Sequence, residues 1–215
     1  DAVFDVPFAD TVRNCLVRDC EAHAPDIFHR IKELWKEYRT MLYNEVLRKL
    51  FDGHPSDMRK FSKLLLADKV YPDAGLLAPI IDNHDLARFI SEAGGSEERL
   101  KLALTMLLTW RGIPVLTYGT ECGLEGRTDG SNRAPMPFGR NPELRAFTRK
   151  LIEFRRASPA LTHGDMREIL ADREVFAWLR QSGDSKVLIV VNNSRDPQER
   201  TLELRGSAAP GGVWT

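Results

Sequence analysis

At 215 residues, with 42% hydrophobic and 29% charged side chains, the chain suits one large or two small domains with a buried core. Lysine plus arginine equals aspartate plus glutamate at 31 each, so the net attraction for polyanions that marks a nucleic-acid binder is missing. No apolar run approaches the roughly 20 residues of a membrane helix, and no charged-then-apolar leader opens the sequence; neutral polyols are the more natural partners, and location is left open.

The chain starts at Asp1 in Ala-Val-Phe-Asp-Val-Pro-Phe, as if in mid-strand, and stops at Gly-Gly-Val-Trp-Thr215 as another strand begins, which reads as a fragment. Val3, Phe4 and Val6 predict a short buried strand, and Pro7 to about Val17 a helix. Residues 26 to 51 carry the strongest helical pattern. Ile27, Ile31, Leu34, Tyr38 and Leu42 recur at threes and fours, with Pro25 and Asp26 as a start signal and Gly53 as a stop. A further helix is expected from Asp57 to about Ala67, then a loop at Tyr71-Pro72-Asp73. Cys15, Cys20 and Cys122 lack metal-ligand spacing and are expected as free thiols, mostly buried.

Next comes the most informative stretch. The apolar run Leu76, Leu77, Ala78, Pro79, Ile80, Ile81 reads as a strand and ends abruptly in Asp82-Asn83-His84-Asp85. Hydrophobic packing thereby delivers four polar side chains to one strand terminus, and in parallel α/β sheets the carboxyl ends of strands open onto the ligand crevice. Two other readings stand beside this one. The four residues form an ordinary turn, with Asp and Asn bonded to nearby amides, or Asp82, His84 and Asp85 ligate a metal without a completing His or Cys cluster nearby. Arg88 either pairs with a carboxylate at the rim or serves structure at a helix start.

Ser96 caps a helix with Glu97 and Glu98 in its first turn and Leu100, Ala103, Leu104, Leu107 and Leu108 on its buried side. Gly112 ends it and Pro114 prevents resumption. Val115 to Tyr118 reads as a strand, and Asn141-Pro142-Glu143 opens a helix with Leu144, Phe147, Leu151 and Phe154 inward, ended by Ser158-Pro159. Strand, helix, strand, helix predicts a parallel α/β sheet. Beyond Ala160 the rhythm becomes β: Met166 to Leu170, Val175 to Arg180, Lys186 to Asn192 and Thr201 to Leu204, divided by turns at Ser182-Gly183-Asp184 and Ser194-Arg195-Asp196-Pro197.

Asn83-His84-Asp85, then Gly112-Ile-Pro-Val-Leu-Thr-Tyr-Gly-Thr-Glu121, then Asn132-Arg133-Ala-Pro-Met136 follow one another in order. On these motifs the chain resembles the α-amylase family, glycoside hydrolase family 13, most specifically between Leu76 and Phe138. The resemblance implies the last strands and helices of a partial (β/α)8 TIM barrel over residues 1–160, enlarged by a helical insertion at about 20–70. A truncated antiparallel β-sandwich then begins over 161–215. It implies a retaining enzyme acting on α-glucosidic bonds of glucose oligosaccharides or polysaccharides, by hydrolysis or transfer.

Retaining glycosidases need two carboxyl groups about 5 to 5.5 Å apart, one as nucleophile and one as acid/base. The resemblance puts both upstream of Asp1, in the missing N-terminal half of the barrel, so the fragment alone is expected to be inactive. Asp85 matches the family's third carboxylate, which holds sugar hydroxyls beside the cleaved bond and stabilises developing positive charge. His84 matches the histidine that bonds the same sugar. Asn83 and Asp82 are expected as supports, with Asn83 near the substrate. Asp129, Asn132 and Arg133 are expected at outlying sugars, or as a loop-fixing Asp129 to Arg133 pair, and Glu121 as a loop support. No cofactor is expected within the chain, while calcium is possible in the full-length enzyme.

Other chemistries lack their motifs: there is no Gly-x-Ser-x-Gly elbow, no phosphate loop and no His-Glu-x-x-His helix. Gly94-Gly95 lacks the spaced glycines of an anion cradle. The alternative from another class is a non-catalytic carbohydrate-binding or interaction module on the same fold, since fold does not fix function.

Overall fold

The computed structural model describes residues 57–128 and 130–204 and the backbone of Val3–Asp5. The helices expected before residue 57, most of the expected insertion, Cys15, Cys20 and Asp129 lie outside the described residues.

The first strand, β1 (Val3–Asp5), pairs in parallel with β2 (Leu77–Pro79), Phe4 opposite Ala78. A parallel pair cannot be joined by a tight turn, so the intervening chain must cross over. On the other side of β2 runs residues 113–117. Ile113 N–H donates to Leu77 O at 2.8 Å and Val115 N–H to Pro79 O at 2.9 Å, both partners advancing by two in the same direction. The expected strand at Val115 to Tyr118 is therefore extended chain in parallel alignment rather than a regular strand, because Pro79 of β2 has no N–H to return a bond to Ile113 O. Leu76 likewise departs from the expected strand: it closes a 3-10 turn (Ala74–Leu76) and is exposed.

Among the described residues the helices are α1 (Lys60–Ala67), α2 (Phe89–Glu92), α3 (Glu97–Thr109), α4 (Pro142–Ala157) and α5 (Pro159–His163). Their ends follow local chemistry. Ser96 Oγ accepts from Arg99 N–H at α3, and Asn141 Oδ1 accepts from Leu144 N–H at α4, whose first residue is Pro142. Gly94 at φ +66° ends α2 in a Schellman turn, with Gly95 N–H reaching back to Ile90 O and Gly94 N–H to Ser91 O.

Beyond α5 lies an antiparallel sheet in the order β3 (Asp165–Ala171), β4 (Val175–Ser182), β5 (Ser185–Asn192), with a bulge between Glu168 and Leu170. Thr201–Leu204, expected as a strand, is not one: it joins no ladder among the described residues.

One core joins these parts. Phe61 of α1, Trp110 after α3, and Phe176 and Trp178 of β4 are all fully buried and pack with ring centroids 5.4 to 6.0 Å apart. The carbonyls left over at the C-terminus of α3 meet two buried guanidiniums. Arg155 of α4 donates to Leu108 O, Trp110 O and Gly112 O; Arg180 of β4 donates to Thr109 O, Trp110 O and Gly164 O. Burial, with the neighbouring charges of Arg155 and Arg111, pushes the Arg180 guanidinium down to about 10. Phe154, expected inward, is 48% exposed, because α4 turns Arg155 to the core in its place.

Candidate functional site

After β2 the buried Ile80 and Ile81 carry the chain to Asp82, which is 2% exposed. Its carboxylate faces inward: Oδ1 accepts from Thr120 Oγ1 at 2.7 Å, and Oδ2 from Phe89 N–H at 3.0 Å at the start of α2. Its main-chain oxygen accepts from Thr117 Oγ1 at 2.9 Å. Asp82 thus ties the strand end to α2 and to residues 117–120.

Asn83 shapes the next step. Its Oδ1 accepts from the N–H groups of both Asp85 and Leu86 at 2.9 Å, a side chain standing in for a backbone turn. That turn lifts His84 and Asp85 outward, each with a side chain 63% exposed. The metal-ligand reading of Asp82, His84 and Asp85 fails on this geometry, because Asp82 is turned into the protein and the other two away from it. Among the described residues no group of three or more His, Cys, Asp or Glu could hold a metal ion.

The third wall comes from residues 132 and 133. Asn132, 1% exposed, donates through Nδ2 to His84 O at 2.9 Å and Leu86 O at 3.1 Å. Arg133 donates from Nε to His84 O and from its terminal nitrogen to Asp85 Oδ1, both at 3.1 Å. His84 Nε2 stands 3.3 Å from Asp85 Oδ2. His84, Asp85 and Arg133 are therefore brought together at the surface, with Asn83 and Asn132 holding the turn beneath them.

Two expectations are refined. Asn132, expected to touch sugar, points its amide at main-chain carbonyls within the protein. The carboxylate partner of Arg133 is Asp85; the alternative partner, Asp129, lies outside the described residues.

Under the turn sits Arg88, wholly buried. Its Nε donates to Asn132 O at 2.8 Å, its terminal nitrogen lies 3.8 Å from Asp82 Oδ1, and its guanidinium stacks 4.9 Å from the Tyr118 ring centroid. The structural reading of Arg88 holds, but as the hub of the site's floor. Tyr118 OH in turn donates to Ala134 O at 3.1 Å. Thr117 and Thr120, which hold Asp82, went unnoticed in the sequence; the only signal was their place in Thr-Tyr-Gly-Thr.

Glu121 lies in a 3-10 turn (Thr120–Cys122) between Gly119 and Gly123, both at positive φ, and faces a cavity of about 280 Å³ shared with Leu116, Arg145 and Ile152. Burial pushes the neighbouring Cys122 thiol up.

Parallel strands, crossover helices and a polar cluster raised at one strand's carboxyl end define an α/β sheet protein whose candidate site is a strand-end rim. Residues 47–201 match the family model described as alpha amylase, catalytic domain, and the chain belongs to the α-amylase family. It is 36% identical over 157 residues to a beta/alpha-amylase of Paenibacillus polymyxa, covering 70% of this chain and 13% of that one. It is 31% identical over 176 residues to neopullulanase 2 of Thermoactinomyces vulgaris, covering 79% and 30%. The chain thus spans less than a third of these relatives' length. Among solved structures, the acarbose-soaked debranching enzyme of Nostoc punctiforme matches 99% of this chain and 41% of its own, at 21% identity and a TM-score of 0.76, and so shares the fold. An α-amylase of Geobacillus thermoleovorans complexed with acarbose matches 90% of this chain and 37% of its own, at 27% identity and a TM-score of 0.61.

Proposed function

We propose that this chain supplies the late strands of a retaining hydrolase or transglycosidase of the α-amylase type, acting on α-linked glucose oligosaccharides or polysaccharides. The observation that carries the reading is Asp85, an exposed carboxylate bracketed by His84 and Arg133 at a parallel strand's carboxyl end, within a chain of this family. An ionised carboxylate there accepts hydrogen bonds from sugar hydroxyls and stabilises positive charge as the oxocarbenium-like transition state forms. His84, its main chain held by Asn132 and Arg133, adds an imidazole beside that carboxylate. Asp85 is not the nucleophile in this reading: an Asp nucleophile and a Glu acid/base come from sequence preceding Asp1, in the N-terminal part of the barrel. The sheet β3 to β5 begins the antiparallel β-sandwich that follows it.

Expression of the 215-residue chain alone, and joined to its upstream half, tests this with maltooligosaccharides. The joined protein should release or transfer glucosyl units with retention of configuration, and the chain alone should not. Turnover by the chain alone above trace level would overturn the division of catalytic groups, and a joined protein that binds but never cleaves is the non-catalytic module.

A further inference from the structure

Arg133 grips the strand-end turn in two places at once. Its Nε–H donates to His84 O and its terminal nitrogen to Asp85 Oδ1. A guanidinium is planar, so the bond from Nε to a fixed carbonyl and the bond from a terminal nitrogen to the carboxylate together fix its plane. That carbonyl is itself pinned. Asn132 Nδ2 donates to it from within the protein, and the main-chain oxygen of Asn132 is held by the wholly buried Arg88. A chain of bonds therefore runs from the core to the guanidinium, which distinguishes this contact from a surface ion pair free to sample many geometries.

The carboxylate's other oxygen faces His84 Nε2 at 3.3 Å. A carboxylate has about four acceptor sites, so both oxygens retain capacity for a ligand's hydroxyls while Arg133 and His84 stay in place. With its side chain 63% exposed, Asp85 has an open side to offer.

We infer that Arg133 is a positioning residue: it fixes the orientation of Asp85, so that the open side of that carboxylate meets vicinal hydroxyls of the glucosyl unit at the cleaved bond. The inference rests on the glycosidase reading above. It replaces a contact with an outlying sugar by an action through Asp85, whose effect falls on the chemical step for short and long substrates alike.

The test compares Arg133→Met and Arg133→Lys in the joined, active protein, using an aryl α-glucoside that fills one sugar site and a long maltooligosaccharide. Arg133→Met should lower kcat by about 10- to 100-fold on both, the loss of one charge-assisted hydrogen bond, with KM moving far less. Arg133→Lys should recover part of kcat, since an ammonium keeps the charge without the fork. A loss confined to KM for the long substrate would assign Arg133 to an outlying sugar, and unchanged kcat per folded molecule would make it merely structural; either overturns the inference. If the wild type cleaves neither substrate, the glycosidase reading itself falls. Independently of activity, the resonances of the Arg133 terminal guanidinium N–H groups, which face Asp85, should shift in the 215-residue chain in Asp85→Asn, and resonances indifferent to that change overturn the pairing.

Discussion

Thr120 Oγ1 donates a 2.7 Å hydrogen bond to Asp82 Oδ1, both residues 2% exposed, and so joins the end of β2 to a turn 38 positions later in the chain. Asp82 Oδ1 also lies 3.8 Å from the terminal nitrogen of the buried Arg88. Asp82→Ala removes this acceptor and leaves a guanidinium in the core without its counter-charge. A loss of about 3 to 5 kcal/mol is expected, the range for breaking a buried pair on one side. Urea unfolding checks it through a lowered midpoint at unchanged slope.

Asp85→Asn has the opposite profile. The side chain is 63% exposed, so stability should move by no more than about 0.5 kcal/mol. In the joined protein turnover should fall by about 100- to 1,000-fold with substrate affinity nearly kept, because a fixed charge acts on the transition state more than on the bound sugar. Near-normal kcat would reject the role given to Asp85.

Gly112 and Gly94 separate steric from conformational cost. Both sit at positive φ, +86° and +66°, but a Cβ at Gly112 would lie 2.2 Å from Leu77 O, whereas one at Gly94 meets nothing within 4 Å. Gly94→Ala should cost about 1 to 2 kcal/mol, the left-handed penalty alone. Gly112→Ala should cost distinctly more, since residues 113–117 must shift off β2. Equal unfolding midpoints for the two variants would contradict the close approach.

Acid should weaken the fold through Asp57 and Asp172. The hydrogen bond from Arg59 holds Asp57 below the usual carboxylate range. At Asp172 burial works upward, but Arg200 and the N–H groups of Val175 and Glu174 outweigh it and bring the group down. Both carboxyls therefore protonate more readily unfolded, near the usual value of about 3.9, than folded. Their contribution is complete above that value and lost as pH falls through the lower folded values. Unfolding midpoints measured on descending pH should drop less steeply below about pH 4 in Asp57→Asn/Asp172→Asn than in the wild type; parallel curves would exclude this source.

Cys122 is fully buried, its Sγ–H directed at Gly119 O at 3.2 Å, and its raised thiol resists ionisation. Alkylation followed by peptide mapping should leave it unmodified in native buffer and modified in denaturing urea. Modification under native conditions would show that the 119–123 turn opens.

What the residues disclosed in advance was what local chemistry decides. Ser96 and Asn141-Pro142 start helices because a cap needs only its own next three residues, and β4 and β5 follow from β-branched and aromatic runs between turns. The polar strand end at 82–85 was legible because an apolar run stops there. Spacing alone puts Phe154 in the core, yet Arg155 occupies it, because the carbonyls it satisfies lie at the end of α3 and in the residues just after it, more than 40 positions earlier. The hold of Arg133 on Asp85, 48 positions away, was hidden for the same reason. A periodic pattern reports which side chains are apolar, and not which distant acceptors await a donor.

The two guanidiniums at the end of α3 have a mechanical consequence. Arg155 and Arg180 arrive from different elements yet share the oxygen of Trp110, and neither draws on a carboxylate for these bonds. To swing the antiparallel sheet away from the helix would strip the Thr109 and Trp110 oxygens from the buried Arg180 guanidinium at one stroke. The joint behaves as a weld rather than a hinge, and β3 to β5 brace the helical layer against which the Asp85 rim is built.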